Sequence, residues 1–227
     1  MRGLCHVLLR IYYVTLGLTL LYGDKLVTTY LTQGVSGLLK VLTGLELLEF
    51  IVFAAVFIDI ARAPDCDVVC SGTVLGYIAH IPVKPFLRTH RGWYHSVWVA
   101  IYVSVVVSAV ITVLAMGVNI ISNHLGFGSV LPLVKLAITA FSASFLSYLF
   151  HLVEDSLTLR GIRWFGVRTR GPLRTGSSDI VVVSAIVLTS ALATWVAYYF
   201  TGSLSQGAVL GFLVLVLVFA SMLEIRR

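Results

Sequence analysis

The sequence has little charge. Asp, Glu, Lys and Arg make up only 11% of its 227 residues, whereas 59% are hydrophobic and the mean hydropathy is +0.99. Because about a quarter of the residues in a soluble domain are charged, this composition excludes a soluble globular protein and predicts an integral membrane protein. The net charge of +6 does not require a nucleic-acid partner, because in a membrane protein the distribution of Lys and Arg first indicates orientation.

Cysteine is also scarce. The three cysteines, Cys5, Cys66 and Cys70, form no paired framework, and Cys66-x-x-x-Cys70 has no second pair nearby to complete a zinc site. We therefore expect free thiols rather than disulfides, with half of a zinc site as the alternative.

Long apolar runs are what the sequence has in abundance. A helix needs about 20 mostly apolar residues to cross a bilayer, within a range of about 17–25, and six segments come close to or reach that length. They are Val7–Tyr22, Leu45–Ala61, Ser96–Val118, Leu131–Phe150, Ile180–Phe200 and Ser205–Leu223.

Two further apolar stretches fit a full crossing less well. Leu26–Gly44 contains Gln33, Lys40 and several glycines, and it is predicted to be an outer interfacial segment. Val68–Val83 is short, is interrupted by glycines and ends in prolines, so a re-entrant or interfacial segment is predicted there.

These segments predict an all-α fold, a polytopic membrane protein with about six transmembrane helices and a re-entrant or interfacial segment between helices 2 and 3. We expect a single transmembrane helical domain over residues 1–227. Within it, we expect residues 1–165 to form the metal-site core and residues 180–227 to form an accessory C-terminal helical hairpin.

The distribution of basic residues predicts the orientation. With the N-terminus inside, every Lys and Arg falls on the inner face except Lys25, Lys40 and Lys135. Such a bias predicts a multi-pass protein of the cell membrane with both termini in the cytoplasm.

In this threading, the histidines and carboxylates at the segment ends all reach the cytoplasmic face. They are His6, Asp65, Asp67, His90, His95, His151 and Asp155. Ionisable residues are costly at membrane depth and usually serve a function there. We therefore ask whether they build a metal site.

The most specific motif is His90-Arg91-Gly92-Trp93-Tyr94-His95-Ser96. Gly92 permits a backbone turn through which both imidazoles can converge. Arg91 suits bidentate contact with a phosphate, and Ser96 can cap the following helix.

Two shorter patterns carry the carboxylates. His151 and Asp155 are i and i+4 on a helix, so both side chains point to one side. Pro64-Asp65-Cys66-Asp67 is a compact acidic turn that can offer oxygens to a divalent cation. Taken alone, the first pattern also fits an aspartate that solvates a histidine, and the second fits a loop paired with Arg62 or Arg91.

Together, these imidazoles and carboxylates suit zinc or a similar first-row metal better than calcium. Two metal ions would suit hydrolysis of a phosphoester. Arg91 and the arginines of residues 160–174 are available to bind an anionic substrate. The latter arginines fit equally well a topogenic signal or a contact with anionic lipid.

In this order the motifs resemble the YdjM-like family, whose members are described as membrane-bound metal-dependent hydrolases, some of them labelled LexA-binding inner-membrane proteins. The elements are His6, Pro64-Asp65-Cys66-Asp67, His90 to Ser96, and His151 with Asp155, Thr158 and Gly161. They cover roughly residues 1–165. The family is grouped with the zinc-dependent phospholipase C and single-strand nuclease superfamily, which is all-helical.

The resemblance implies metal ligation by His6, Asp65, His90, His151 and Asp155, with Asp67 and His95 as further candidates. It also implies hydrolysis of a phosphoester, with a lipid phosphoester as one option. The chain departs from the family pattern in three respects. Leu159 stands where members usually have proline, Glu154 adds an acidic residue, and a second His-x-x-x-acid pair is absent. We therefore expect one or two ions, of zinc or manganese, rather than three.

The leading hypothesis is a membrane-bound, metal-dependent phosphoester hydrolase with Asp65 or Asp67 as general base and Arg91 steadying phosphate charge. Its expected partners are membrane lipid and a lipid or small-molecule phosphoester, with no nucleic acid and with homo-oligomerisation left open. One alternative is a metal-ion or proton transporter, which rests on Glu46, Glu49 and Asp59. Another is a non-catalytic scaffold with a structural metal.

Overall fold

The computed structural model describes residues 3–44, 47–67, 73–84, 95–164, 167–174 and 177–226. The helices are α1 Gly3–Gly44, α2 Leu47–Asp59, α3 Val74–His80, α4 Val97–His124, α5 Leu133–Ser156, α6 Ser177–Thr201 and α7 Leu204–Met222. A 3₁₀ helix, Ile60–Asp67, follows α2 directly, and three short strands are β1 Ile162–Trp164, β2 Val167–Arg170 and β3 Glu224–Arg226.

The predicted all-α, polytopic membrane class is confirmed. In the described part of the chain, five helices are long and apolar enough to cross a membrane, namely α1, α4, α5, α6 and α7. The predicted span Leu45–Ala61 differs, since α2 has only 13 residues before the chain tightens into the 3₁₀ helix. The described part of Val68–Val83 contains the seven-residue α3, which is far too short to span a bilayer.

Helix α1 departs most from the predicted segments. The expected break between Val7–Tyr22 and an interfacial segment from Leu26 is absent, and the helix continues to Gly34. There the backbone takes φ 65°, a left-handed conformation that glycine adopts without a steric penalty. The helix before this kink is about 46 Å long at 1.5 Å per residue, which exceeds the roughly 30 Å hydrocarbon core.

The chain forms two compact units, Leu48–Val153 and Met1–Leu47 with Glu154–Arg227. In the first unit, α2 runs alongside α5 in the same direction. Glu49 near the start of α2 pairs with Lys135 at 3.2 Å, and Phe57 near its end accepts a 2.5 Å hydrogen bond from Ser147 Oγ. Because the 3₁₀ helix directly follows α2, this alignment places it beside the C-terminal part of α5.

Polar side chains fix the other connections of this unit. Ser96 caps α4 by accepting from the Val99 amide, as the sequence predicts. At the far end of α4, the Asn119 side chain bonds the backbone of Val130 and Leu131 and closes the loop to α5. The α4–α5 hairpin thereby holds the start of α4 and the end of α5 at the same end of the unit.

The second unit packs α1 against α6 and α7. In the first part of α1, the hydroxyls of Tyr12 and Ser190 share a hydrogen bond. Asp24 accepts hydrogen bonds from Ser203 Oγ and from the Leu204 amide at the start of α7. The rise along α1 from His6 to Asp24 is about 27 Å, close to the thickness of a bilayer core of about 30 Å. The buried core of this unit contains Cys5, Leu9, Leu157, Leu173, Val183, Ile186, Leu215 and Phe219.

The strands form an antiparallel sheet in the order β1-β2-β3. Gly161, at φ 59°, turns the chain into β1, and a Cβ on it would overlap the carbonyl oxygen of Thr169. Only glycine fits at this point.

Candidate metal centre

His151 lies near the C-terminal end of α5, where the 3₁₀ helix passes beside it. Its Nδ1 is 2.7 Å from the carbonyl oxygen of Ala61. Since a carbonyl only accepts hydrogen bonds, Nδ1 is the donor, and in the neutral imidazole the lone pair then sits on Nε2. A backbone carbonyl that orients a histidine in this way is the usual support of a metal-ligating imidazole.

Asp65 and His95 lie on the Nε2 side of His151. Asp65 Oδ1 is 3.7 Å from His151 Nε2, and the rings of His95 and His151 have centroids 5.9 Å apart. Four residues, Asp65, His95, His151 and Asp155, each offer one ligand atom, and these four atoms all lie within 4.8 Å of one another. We call these four residues the α5 group.

Asp155 belongs to the α5 group through its position on the helix. It lies one turn after His151 on the same side of α5, as i and i+4 residues do, and its carboxylate offers the fourth ligand atom. Both side chains are buried, whereas the side chain of Asp65 is 26% exposed.

The donor set fits a transition-metal ion. Two imidazoles and two carboxylates are ligands that zinc accepts at about 2.0–2.2 Å. Ligand atoms around a tetrahedral zinc ion are about 3.4 Å apart, so the α5 group, whose ligand atoms lie within 4.8 Å of one another, would close by about an ångström around an ion. Among the residues that the structure describes, no cysteine enters the group.

His6 lies on α1 and is buried against the last turn of α5. Its Nδ1 is 2.5 Å from Glu154 Oε2, and its Nε2 is 3.8 Å from Asp155 Oδ1. The other oxygen of Glu154 accepts from Arg10 Nη1, and the Arg10 guanidinium lies 5.7 Å from the ring centre of Tyr13. The carboxylate of Glu154 thus orients His6 with Nε2 toward Asp155.

The sequence arguments missed two members of this arrangement. Arg10 was predicted only to mark the inner face, and Glu154 only to depart from the family pattern. The available signal was the spacing of His6 and Arg10, which are i and i+4 on one helix face. A charged residue within an apolar helix needs a buried partner of opposite charge, and Glu154 provides it.

The sequence model of the YdjM inner membrane protein family matches residues 26–226. The chain belongs to the YdjM inner membrane protein family. The predicted family and the membrane localisation are confirmed, whereas the relation to the hydrolase superfamily stays a prediction. No curated protein and no solved structure matches the chain.

The family match overlaps the predicted resemblance over residues 26–165 but has different bounds. It includes α6 and α7, which the resemblance over residues 1–165 left out, and it begins after His6 and Arg10. The α5 group lies entirely within the match.

The Thr and Gly of the last YdjM motif have structural roles. Thr158 Oγ1 donates to the carbonyl of Asp155 at 2.8 Å and accepts from the Gly161 amide at 3.2 Å. Thr158 thereby closes the end of α5 directly after the candidate ligands. Leu159, where proline is usual, donates its amide to Leu173 O at 2.9 Å, a bond that proline could not form.

Some predicted site residues cannot be placed. His90 and Arg91 lie outside the described residues, as does the side chain of Asp67. Their assignment as ligands, general base or phosphate contact remains a prediction. The two histidines that the sequence left outside the site are His80, buried on α3, and His124, exposed at the end of α4.

Two carboxylates on which the transporter alternative rests have structural partners. Glu49 pairs with Lys135. Asp59 accepts from Thr73 Oγ1 and from the amides of Val74 and Leu75, at 2.9 to 3.0 Å. Asp59 therefore caps the start of α3.

Proposed function

We propose that this YdjM family protein is a membrane-bound, metal-dependent hydrolase that cleaves a phosphoester, with a lipid-linked phosphoester as its substrate. The observation that carries the proposal is the α5 group, in which two histidines and two aspartates offer ligand atoms within 4.8 Å of one another. His95 lies just before the candidate span α4, and His151 and Asp155 lie near the end of the candidate span α5, which favours a substrate that is itself held in the membrane.

The ligand chemistry favours zinc, with manganese as the second choice and one or two ions in total. Imidazole nitrogen suits zinc well, whereas calcium prefers six to eight oxygen ligands. His6, held by Glu154, is available as a further ligand beside Asp155. When bound, such an ion supplies Lewis-acid activation of water and of a phosphoryl oxygen.

The other roles in this hydrolysis are assigned to individual residues of the chain. Ala61 holds the His151 ring so that Nε2 faces the ligands. Asp65 is the member of the α5 group with the most exposed side chain. It can therefore reach both an ion and a water molecule, and we assign it the role of general base. Asp67 is the second candidate for that role, and Arg91 is assigned to the phosphate.

We propose further that the site faces the cytoplasm and that both chain termini lie there. Arg160, Arg163, Arg168 and Arg170 lie 4 to 14 residues after the end of α5 at Ser156. Such a concentration of arginine beside a span marks the cytoplasmic side.

Hydrolysis is tested with the full-length protein in detergent or nanodiscs, using a lipid phosphate ester and a soluble phosphodiester as substrates. We expect turnover that chelator abolishes and that added zinc or manganese restores. Asp65→Asn should lower turnover by about 100-fold or more if the carboxylate acts as general base. Glu224→Gln, an exposed carboxylate in the sheet, serves as the matched control. A turnover rate that is unchanged by chelator, or unchanged in Asp65→Asn, would contradict the proposal.

A non-catalytic scaffold is the second candidate function. Four protein ligands can fill a tetrahedral zinc site and leave no open position, as in structural sites. The same assay separates the two functions. Stoichiometric metal, loss of stability on chelation and no turnover on either substrate would favour the scaffold.

A further inference from the structure

The three-stranded sheet carries a concentration of arginine on one face. In the antiparallel register, Arg163 lies directly opposite Arg168, and Arg168 lies directly opposite Arg226. Directly opposed residues of a sheet share one face, with Cβ atoms about 4.5–5.5 Å apart. The register thus places the side chains of Arg163 and Arg168 next to each other in one row on this face.

Like charges in opposed positions destabilise a sheet unless an anion compensates them. Glu224 is the acidic residue of these strands, and it is already paired with Arg170 at 3.3 Å. Arg168 donates from Nη2 to the carbonyl of Arg160, which positions its guanidinium without neutralising the charge. Net positive charge therefore remains along the row.

The arginine face points outward. Arg163 and Arg168 are both exposed, whereas Ile162, on the opposite face of the sheet, is buried. Guanidinium groups bind phosphate oxygens through paired N–H donors, so an exposed row of them matches a phosphate-bearing partner.

The position of the sheet favours membrane lipid over nucleic acid as the phosphate-bearing partner. Strand β3 begins at Glu224, just beyond the end of α7 at Met222, and β1 begins shortly after the end of α5 at Ser156. Both helices are candidate membrane spans, so the chain holds the sheet at the membrane surface. Headgroup phosphates are concentrated there, whereas a nucleic acid would have to be recruited from solution.

We propose that the arginine row Arg163–Arg168 is a binding surface for the headgroups of anionic membrane lipids. The surface lies on the sheet and is separate from the ligands of the α5 group. It needs no metal, and lipid binding is measured without turnover. The inference therefore stands or falls independently of the proposed hydrolysis.

The test uses full-length protein in detergent and counts bound lipid by native mass spectrometry, with phosphatidylglycerol and phosphatidylcholine as probes. We expect wild type to retain phosphatidylglycerol in clear preference to phosphatidylcholine. Arg163→Gln/Arg168→Gln should lower that preference by about fivefold for each arginine removed. Arg163→Lys/Arg168→Lys, which keeps the charge, should retain part of it and checks that the sheet still folds.

The matched control is Lys25→Gln/Lys40→Gln, which removes two exposed positive charges from α1. It should leave the preference unchanged. An unchanged preference in the double arginine variant, or an equal loss in the lysine control, would overturn the inference. So would tighter binding of a single-stranded oligonucleotide than of lipid through the same arginines.

Discussion

His6 and Glu154 are 148 residues apart in the chain, yet His6 Nδ1 lies 2.5 Å from Glu154 Oε2. The same carboxylate accepts from Arg10, and all three side chains are buried. One glutamate therefore joins the start of α1 to the last turn of α5 and compensates the buried charge of Arg10.

We expect Glu154→Gln to destabilise the protein strongly. The substitution keeps the size of the side chain but removes the charge with which Glu154 pairs the buried Arg10, and removal of one partner of a buried pair costs about 3–5 kcal/mol. The measurement is the midpoint of thermal unfolding of the full-length protein in detergent.

The matched variant is Arg10→Met/Glu154→Gln, in which no uncompensated charge remains. It should recover part of the stability that Glu154→Gln loses, because the two effects are coupled through one ion pair. Equal unfolding midpoints for Glu154→Gln and wild type would show that the pair does not hold these helices together.

Most of the fold follows from hydrophobic length alone. The apolar runs that became α4 to α7 are long enough to predict spans, and Ser96 is a good N-cap residue that precedes one of them. The course of α1 could not be predicted in the same way. Gln33, Lys40 and the glycines of Leu26–Gly44 predicted an interfacial segment, but a helix can continue into the interface until a residue such as Gly34 breaks it.

The site could be predicted only in part. The i, i+4 spacing of His151 and Asp155 is local, so the sequence contains it. The approach of Asp65 and His95 depends on how α2 and α4 pack along α5, and the Arg10–Glu154 pair joins residues 144 apart. No local pattern encodes such contacts. The sheet was missed as well, because its strands have only three or four residues each.

Asp59 should act as a cap rather than as a transport carboxylate. Asp59→Ala removes the acceptor for the amides of Val74 and Leu75, and loss of such a cap costs about 0.5–2 kcal/mol. Hydrogen exchange should therefore quicken over α3. Asp59→Asn, which keeps one acceptor oxygen, should show a smaller change.

Glu49→Gln is the control for that experiment. It breaks a partly exposed pair with Lys135, a kind of pair that contributes about 0–1 kcal/mol, so exchange over α3 should stay as in wild type. Liposome uptake of metal ions that depends on Asp59 and Glu49 would instead support a transporter.

The α6–α7 hairpin depends on close packing at Gly211. A Cβ on Gly211 would overlap Thr194 Oγ1 and lie 2.8 Å from the Ser190 carbonyl oxygen. Gly211→Ala should therefore destabilise the protein by about 1–3 kcal/mol through overpacking, measured as a lower thermal unfolding midpoint.

Gly117→Ala gives the opposite expectation. Gly117 lies within α4, and a Cβ there meets nothing within 4 Å. Alanine is better than glycine within a helix by about 0.8–1.0 kcal/mol, so the midpoint should stay or rise. If both alanine variants shift the midpoint in the same direction, the contact between α6 and α7 is not the cause.

The central claim, that the α5 group binds a metal ion, is tested most directly by metal analysis of full-length protein prepared without chelator. We expect about one ion of zinc or manganese per chain, or more. His151→Asn should lose it, because the asparagine amide can still donate to Ala61 while no ligand atom remains in the place of Nε2. His124→Asn, on the exposed end of α4, should keep the full metal content. Wild-type protein with little bound metal, or His151→Asn with an unchanged amount, would contradict the claim.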